Sequence, residues 1–120
     1  MSWDADFDGG SWNYTHNTNG MIAAAYESVT GESTEPYDFP ILGKVIGPTW
    51  WKRLDGMTGA QGSEYLGQII NGLESDPNRF RAMNPDNGWG DFDTLLATLR
   101  DMKAASDNAC CGARKWAASG

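Results

Sequence analysis

The residues of this chain best able to do chemistry gather in two short polar clusters. Asn13-Tyr14-Thr15-His16-Asn17 stands just ahead of the first plausible helix, and Asn84-Pro85-Asp86-Asn87-Gly88-Trp89-Gly90-Asp91 just ahead of the last. Solvated loops seldom need His, Trp and four Asn at such tight spacing. Helix N-termini do, because their first N–H groups lack intrahelical acceptors and can hold an anion. The clusters therefore read either as elaborate helix caps or as two rims of one binding site. On the binding reading, Tyr14, Thr15, His16 and Asn17 face Asn84, Asn87, Gly88 and Trp89, and Arg53 supplies a cation. Amide donors beside a phenol or indole suit a nucleotide or a base, by stacking and by backbone hydrogen bonds.

Each candidate has a plainer reading. His16 is the only histidine, and as a general base it needs a nucleophile and an orienting group. Thr15 is its neighbour, but adjacent residues of an extended segment point to opposite faces, so the two make a poor dyad. One His among scattered carboxylates is weak support for a metal site. No catalytic residue, metal ligand or cofactor is assigned. The plainer role for His16 and Asn17 is to pin the N-terminal arm to the Asn84–Gly90 loop by hydrogen bonds. In that loop Asn tolerates left-handed backbone, Gly88 and Gly90 permit positive φ, and Asp91 can cap the following helix. The loop lacks the strand, glycine pattern and Lys of a P-loop. Trp50-Trp51-Lys52-Arg53 offers a ring and a cation for a phosphate, or else one buried Trp with two solvated cations. Arg79 and Arg81 flank Phe80 and could reach the same mouth, or pair with nearby carboxylates.

The elements that must position these residues are mostly helical. Asp8-Gly9-Gly10 is a tight-turn signal between weakly alternating segments, so residues 1–17 read as an extended arm or hairpin. Thr18, Asn19 and Gly20 offer an N-cap. Met21, Ile22, Ala25 and Val29 share a helical face that Gly31 ends. Residues 31–48 read as a long loop, anchored by Ile41-Leu42 and Val45-Ile46, with Pro48 starting a short helix over 49–54. Tyr65, Leu66, Ile69, Ile70 and Leu73 form an apolar stripe that stops at Asp76-Pro77. A turn over Asn78 to Met83 follows. The last helix carries Phe92, Leu95, Leu96, Leu99 and Met102, with Asp91 and Asp93 at its positive end and Arg100 and Lys103 further along. Residues 107–120 read as a small-residue tail in which Arg114-Lys115-Trp116 forms a short strand. The fold expected is α-dominant α+β in a single domain. It is a compact bundle of three main helices over 18–106 plus short helical turns, with the arm or hairpin free to pair with the tail.

The chain has 120 residues and six Trp, so large rings must share its core. No apolar run approaches the roughly 20 residues of a membrane span. Met1-Ser2-Trp3-Asp4 shows no secretory pattern, which points to the cytoplasm. Cys110 and Cys111 are adjacent, so free thiols are expected rather than a strained bridge. Net charge is −7, and residues 1–43 hold seven carboxylates and no Lys or Arg. Such a face repels nucleic acid; it serves solubility or attracts a basic protein surface.

In the order of its features the chain resembles a family of short, largely uncharacterised phage and prophage proteins. The residues that carry the resemblance are Thr15-His16-Asn17 with Met21, the helix Leu66 to Leu73, Pro77 with Phe80, Asn84-Pro85-Asp86-Asn87-Gly88-Trp89-Gly90 with Phe92, and the closing helix Leu95 to Met102. The match spans residues 13–26 and about 62–104. It departs where the family has Trp-Arg-Pro after the first helix, and in the Cys110-Cys111 tail. The resemblance implies a phage-type origin and a compact helical fold, and no activity. Two functions follow as expectations. One is a non-enzymatic protein that binds a polar small molecule, such as a nucleotide signal, to counter host defence. The other is an acidic inhibitor that docks on a host nucleic-acid-binding enzyme.

Overall fold

Alternation decides the first element. Trp3, Ala5 and Phe7 are buried while Ser2, Asp4 and Asp6 are exposed, the period-two pattern of a strand with one wet face. This is β1 (Ser2–Phe7), and it pairs antiparallel with β2 (Gly10–Thr15) in the register Trp3↔Tyr14, Ala5↔Trp12, Phe7↔Gly10. The computed structural model describes residues 2–31, 50–85, 88, 90–109 and 112–120. The two-residue turn has Asp8 at φ 51° and Gly9 at φ 82°, the positive-φ pair that matches strand twist in a tight hairpin. The loop expected over 31–48, with its Pro48 start and its Ile41-Leu42 and Val45-Ile46 anchors, lies outside the described residues apart from Gly31. So do Asp86, Asn87, Trp89, Cys110 and Cys111.

A 3-10 turn over His16–Thr18 leads into α1 (Asn19–Thr30). Met21, Ile22, Ala25 and Tyr26 are buried, and Gly31 ends the helix in left-handed geometry. Val29, expected on the buried face, is 45% exposed. It sits in the last turn, past the point where the stripe meets its partners. Thr18 precedes the helix without capping it; its hydroxyl donates to the Thr15 carbonyl at 2.9 Å.

After α2 (Trp50–Leu54) comes α3 (Gly59–Ser75), which starts at a capping box between Thr58 and Gln61. Every residue of its expected stripe is buried. Residues read as a turn form α4 (Pro77–Arg81), because Asp76 accepts from the Arg79 N–H and proline suits the first helical position. α5 (Phe92–Asn108) buries Phe92, Leu95, Leu96, Leu99 and Met102. The tail strand is β3 (Ala117–Ser119), a few residues later than expected, with Lys115 held in an isolated bridge to Thr58. β3 pairs antiparallel with β1, so the sheet order is β2-β1-β3.

The fold is mainly α with this small sheet. α3 packs against both α1 and α5. Gly72 of α3 lies directly against the backbone of Ala25, an approach that any Cβ would block. Rings fill the space between sheet and helices. Phe7 stacks on Trp116 at 4.9 Å, and Trp3 meets Trp50 edge-on at 4.8 Å. No helix among the described residues is long and apolar enough to cross a membrane.

Candidate functional site

The two polar clusters meet, and side chains of the arm make the contact. Tyr14 lies one residue before the end of β2 with its ring on the inner side of the sheet, and its hydroxyl accepts from the Asp91 N–H at 2.9 Å. Thr15 lies against Gly90: a Cβ on Gly90 would stand 2.5 Å from Thr15 Cγ2 and 3.0 Å from Thr18 Cγ2. Gly90 also has φ 106°, which other residues rarely adopt, so both space and backbone select glycine here.

Around the start of α5 several N–H groups are already engaged. The Asp91 carboxylate accepts from Thr94 N at 2.8 Å and from Thr94 Oγ1 at 3.0 Å. Asn84 Oδ1 accepts from Phe92 N at 2.9 Å. With Tyr14 on Asp91 N, three donors that could have met an anion are held within the chain. Three of the free donors expected at this helix start are therefore spent on caps. Gly88 is exposed at φ 75°, with its N–H on the Pro85 carbonyl.

His16 turns away from this junction toward α1 and α2. Trp50 Nε1, which can only donate, gives its hydrogen bond to Asn19 Oδ1 at 3.0 Å. That leaves Asn19 Nδ2 facing His16 Nδ1 at 2.8 Å. An amide nitrogen donates, so Nδ1 accepts and the neutral ring carries its proton on Nε2. The ring sits edge-on to Trp51 at 6.5 Å, with Gly120 on its other side: a Cβ there would be 2.8 Å from His16 Cε1. No hydrogen bond or ion pair joins the imidazole to Thr15 or to a carboxylate among the described residues. Asn17 is exposed, and its N–H donates to Thr15 Oγ1 at 3.2 Å. Tyr14 and Thr15 carry a pinning contact to the second cluster, and His16, expected to share in it, goes to Asn19 instead.

Arg53 stands elsewhere. Its guanidinium lies 5.5 Å from the ring centre of Tyr26, two turns along α1 from Asn19, or roughly 10 Å. Tyr26 meets Tyr65 edge-on, and the two help line a cleft of about 280 Å³ with Met57, Gln61, Glu64 and Gln68. The Tyr65 hydroxyl donates to the Trp50 carbonyl at 2.8 Å. Burial drives its pKa above the ordinary phenol value, Tyr26 adds to this, and Arg53 opposes it. Lys52 packs over Trp51 at 5.4 Å. Arg79 lies over Phe80, and Arg81 over Phe92, with Arg81 also bonded to Asp93 at 2.9 Å. Asn87 and Trp89 of the expected site lie outside the described residues.

Asn19 and Ser106 are buried polar residues that the sequence does not single out. Asn19 reads locally only as part of an N-cap, and nothing nearby marks its partner, which stands 31 residues away. No three His, Cys, Asp or Glu among the described residues are grouped to hold a metal ion.

A different surface keeps its polar groups unspent. The outer face of the sheet presents Asp4 and Asp6 on the central strand, opposite Asn13 and Ser11 on one side and Ser119 and Ala117 on the other. All six are exposed. Neither carboxylate has an ion-pair or hydrogen-bond partner among the described residues. Asp8, at the turn, is paired with Arg114 at 3.0 Å.

No family model, curated protein or solved structure matches this chain.

Proposed function

We propose that this chain is a small non-enzymatic protein that binds another protein, docking the acidic outer face of its sheet on a basic surface. One observation carries the reading. Asp4 and Asp6 stand exposed on the central strand, ringed by small side chains and unpaired among the described residues, while the opposite face of the same strand holds the core. A face with small neighbours admits a partner closely, and two uncompensated carboxylates on a molecule of charge −7 steer a basic one. The same charge disfavours direct contact with nucleic acid. The resemblance to phage proteins supplies the setting: the cytoplasm of an infected cell, with a host DNA- or RNA-binding enzyme as the basic partner and relief from host defence as the outcome.

The test is affinity capture from host lysate across a salt series, with Asp4→Lys/Asp6→Lys as the comparison. The reading expects a captured nucleic-acid-binding protein that is lost at high salt and lost on charge reversal. Capture that is indifferent to both would overturn it.

A second reading is supported by the meeting of the Tyr14–Asn17 and Asn84–Asp91 segments. In it a nucleotide-type ligand binds at their junction, against the Tyr14 ring with Asn87 and Trp89, and is sequestered as a host signal; His16, which turns to Asn19 and Trp51, takes no part. Calorimetry against cyclic and linear nucleotides, with Trp89→Ala as the control, decides it. Absence of micromolar binding by every nucleotide ends it.

A further inference from the structure

The sheet has two edges, and the fold treats them differently. Along β3 the edge is covered. The Ala118 N–H donates to Asp55 Oδ1 at 2.9 Å, the Trp116 N–H to the Met57 carbonyl at 2.8 Å, and the Gly56 N–H to the Trp116 carbonyl at 2.8 Å. Thr58 bridges Lys115 beside them. Along β2 no strand lies on the outer side among the described residues.

The hairpin fixes which groups that edge exposes. A two-residue turn makes Phe7↔Gly10 a hydrogen-bonded pair. Antiparallel pairs alternate, so Ala5↔Trp12 and Trp3↔Tyr14 are bonded as well, whereas Asp6↔Ser11 and Asp4↔Asn13 are not. The N–H and C=O of Ser11 and Asn13 therefore point away from β1. The far edge checks this phase independently. It leaves the Ala118 N–H facing outward, where Asp55 receives it. Neither Ser11 nor Asn13 has a main-chain partner on the open side among the described residues. β2 also lacks the usual guards of an edge strand. It is six residues long and carries no Lys and no Pro.

We propose that the β2 edge takes up an extended basic segment of a partner protein as a fourth strand, hydrogen-bonded to the main chain of Ser11 and Asn13. The proposal rests on the protein-binding reading above and names its mode. The register sets the side-chain pattern. Residues opposite Ser11 and Asn13 share the outer face with Asp6 and Asp4, two strand spacings away, or about 10 Å. Lys or Arg there spans the small Ser11 and Asn13 side chains to the carboxylates. Residues between them fall on the inner face beside Trp12 and Tyr14, half-buried rings held to α5 and its cap by the Trp12–Asp101 and Tyr14–Asp91 hydrogen bonds, and suit small apolar side chains. The occupant is a strand that alternates basic and apolar residues. A second copy of this chain is a poor occupant, because pairing two β2 edges joins two acidic faces at a net charge of −7 each.

The experiment is a nuclear magnetic resonance titration of the full chain with an eight-residue peptide alternating Lys and Val, and with its Glu–Val counterpart. The Lys peptide is expected to bind saturably and to slow amide exchange at Ser11 and Asn13 by about tenfold or more. Asn13→Pro removes an edge N–H that the hairpin does not use, and should weaken binding by about tenfold or more. Ser11→Pro serves the same purpose if the first variant fails to fold. Asp4→Asn/Asp6→Asn should weaken the Lys peptide alone. Binding of the Lys peptide without protection of Ser11 and Asn13, or unaffected by either proline, overturns the edge proposal and leaves the acidic-face reading standing. Equal binding of the Glu peptide overturns both. Failure of the Lys peptide to bind overturns the edge proposal, and the salt-dependent capture then decides the face. A dimer of the free chain with Ser11 and Asn13 already protected also overturns it.

Discussion

Asn19 shows how one buried amide ties three elements together. It is 1% exposed, satisfies Trp50 Nε1 of α2 through its oxygen, and holds His16 of the 3-10 turn through its nitrogen. Asn19→Ala leaves an indole N–H buried without an acceptor, a loss of about 1–3 kcal/mol. The expected result is a lower urea midpoint at unchanged slope, with a shift in tryptophan emission. An unaltered midpoint would mean that water replaces the amide at no cost. Gly90 makes the complementary test at the junction of the two clusters. Gly90→Ala places a methyl against Thr15 and Thr18 on a backbone at φ 106°, and strain of this kind costs about 1–3 kcal/mol. The measurement is again the urea midpoint. If the Tyr14–Asp91 hydrogen bond is what aligns the arm, exchange of the Asp91 amide should rise as well.

At the scale of elements, α5 is held by charge as well as by its apolar stripe. Asp93 meets Arg81 of α4, and Asp107 meets Lys103 one turn back and Ser63 of α3. The hydrogen bond from Arg81 holds the Asp93 carboxyl below the usual carboxylate range; Ser63, then Lys103, do the same for Asp107. A carboxyl whose folded pKa is depressed stabilises the fold above its unfolded pKa of about 3.9, and that contribution fades as pH falls through the folded value. Both groups are solvent-facing, so the effect is small and screened by salt. Stability should therefore decline on acidification below about pH 4, and Asp107→Asn should flatten that decline relative to the parent. Urea midpoints at neutral and acid pH measure it. These elements also show what the sequence made legible. α3 and α5 run 17 residues each, long enough for a 3.6-residue stripe to repeat several times, and every stripe residue named from sequence is buried. α4 has five residues and no period to read, so from sequence Asp76-Pro77 marks only the end of α3 and Asn78 to Met83 a turn. The sequence points to Arg114–Trp116 for the tail strand, because pairing with β1 is a tertiary choice that the three small residues of β3 cannot announce. In the candidate site, cluster positions suggested the meeting, but which side chain meets which does not follow from spacing. Tyr14 bonds Asp91 across 77 residues, and His16 goes to Asn19.

At the scale of the molecule, the sheet divides labour between its faces, and two substitutions separate them. Trp116, 2% exposed, stacks on Phe7, and its Nε1 donates to Ser106, whose hydroxyl donates in turn to the Gly59 carbonyl. Trp116→Ala removes the ring that joins tail, hairpin and both long helices, and should cost about 3–5 kcal/mol in thermal or urea unfolding. The outer face behaves in the opposite way. The Asp4 and Asp6 carboxylates make no ion pair or hydrogen bond among the described residues, and they sit two residues apart on one face of β1 in a chain of charge −7. Their mutual repulsion opposes folding, by an amount that salt screens within a Debye length of about 10 Å at 0.1 M. Asp4→Asn/Asp6→Asn should therefore fold as the parent does and melt at the same temperature or higher in low salt, with any gain shrinking as salt is added. A lower melting temperature that salt does not restore would make the two carboxylates structural and remove the ground for reading them as a docking surface. Unchanged or raised stability together with lost peptide binding would mean that this face is kept for a partner, at a small standing cost to the fold.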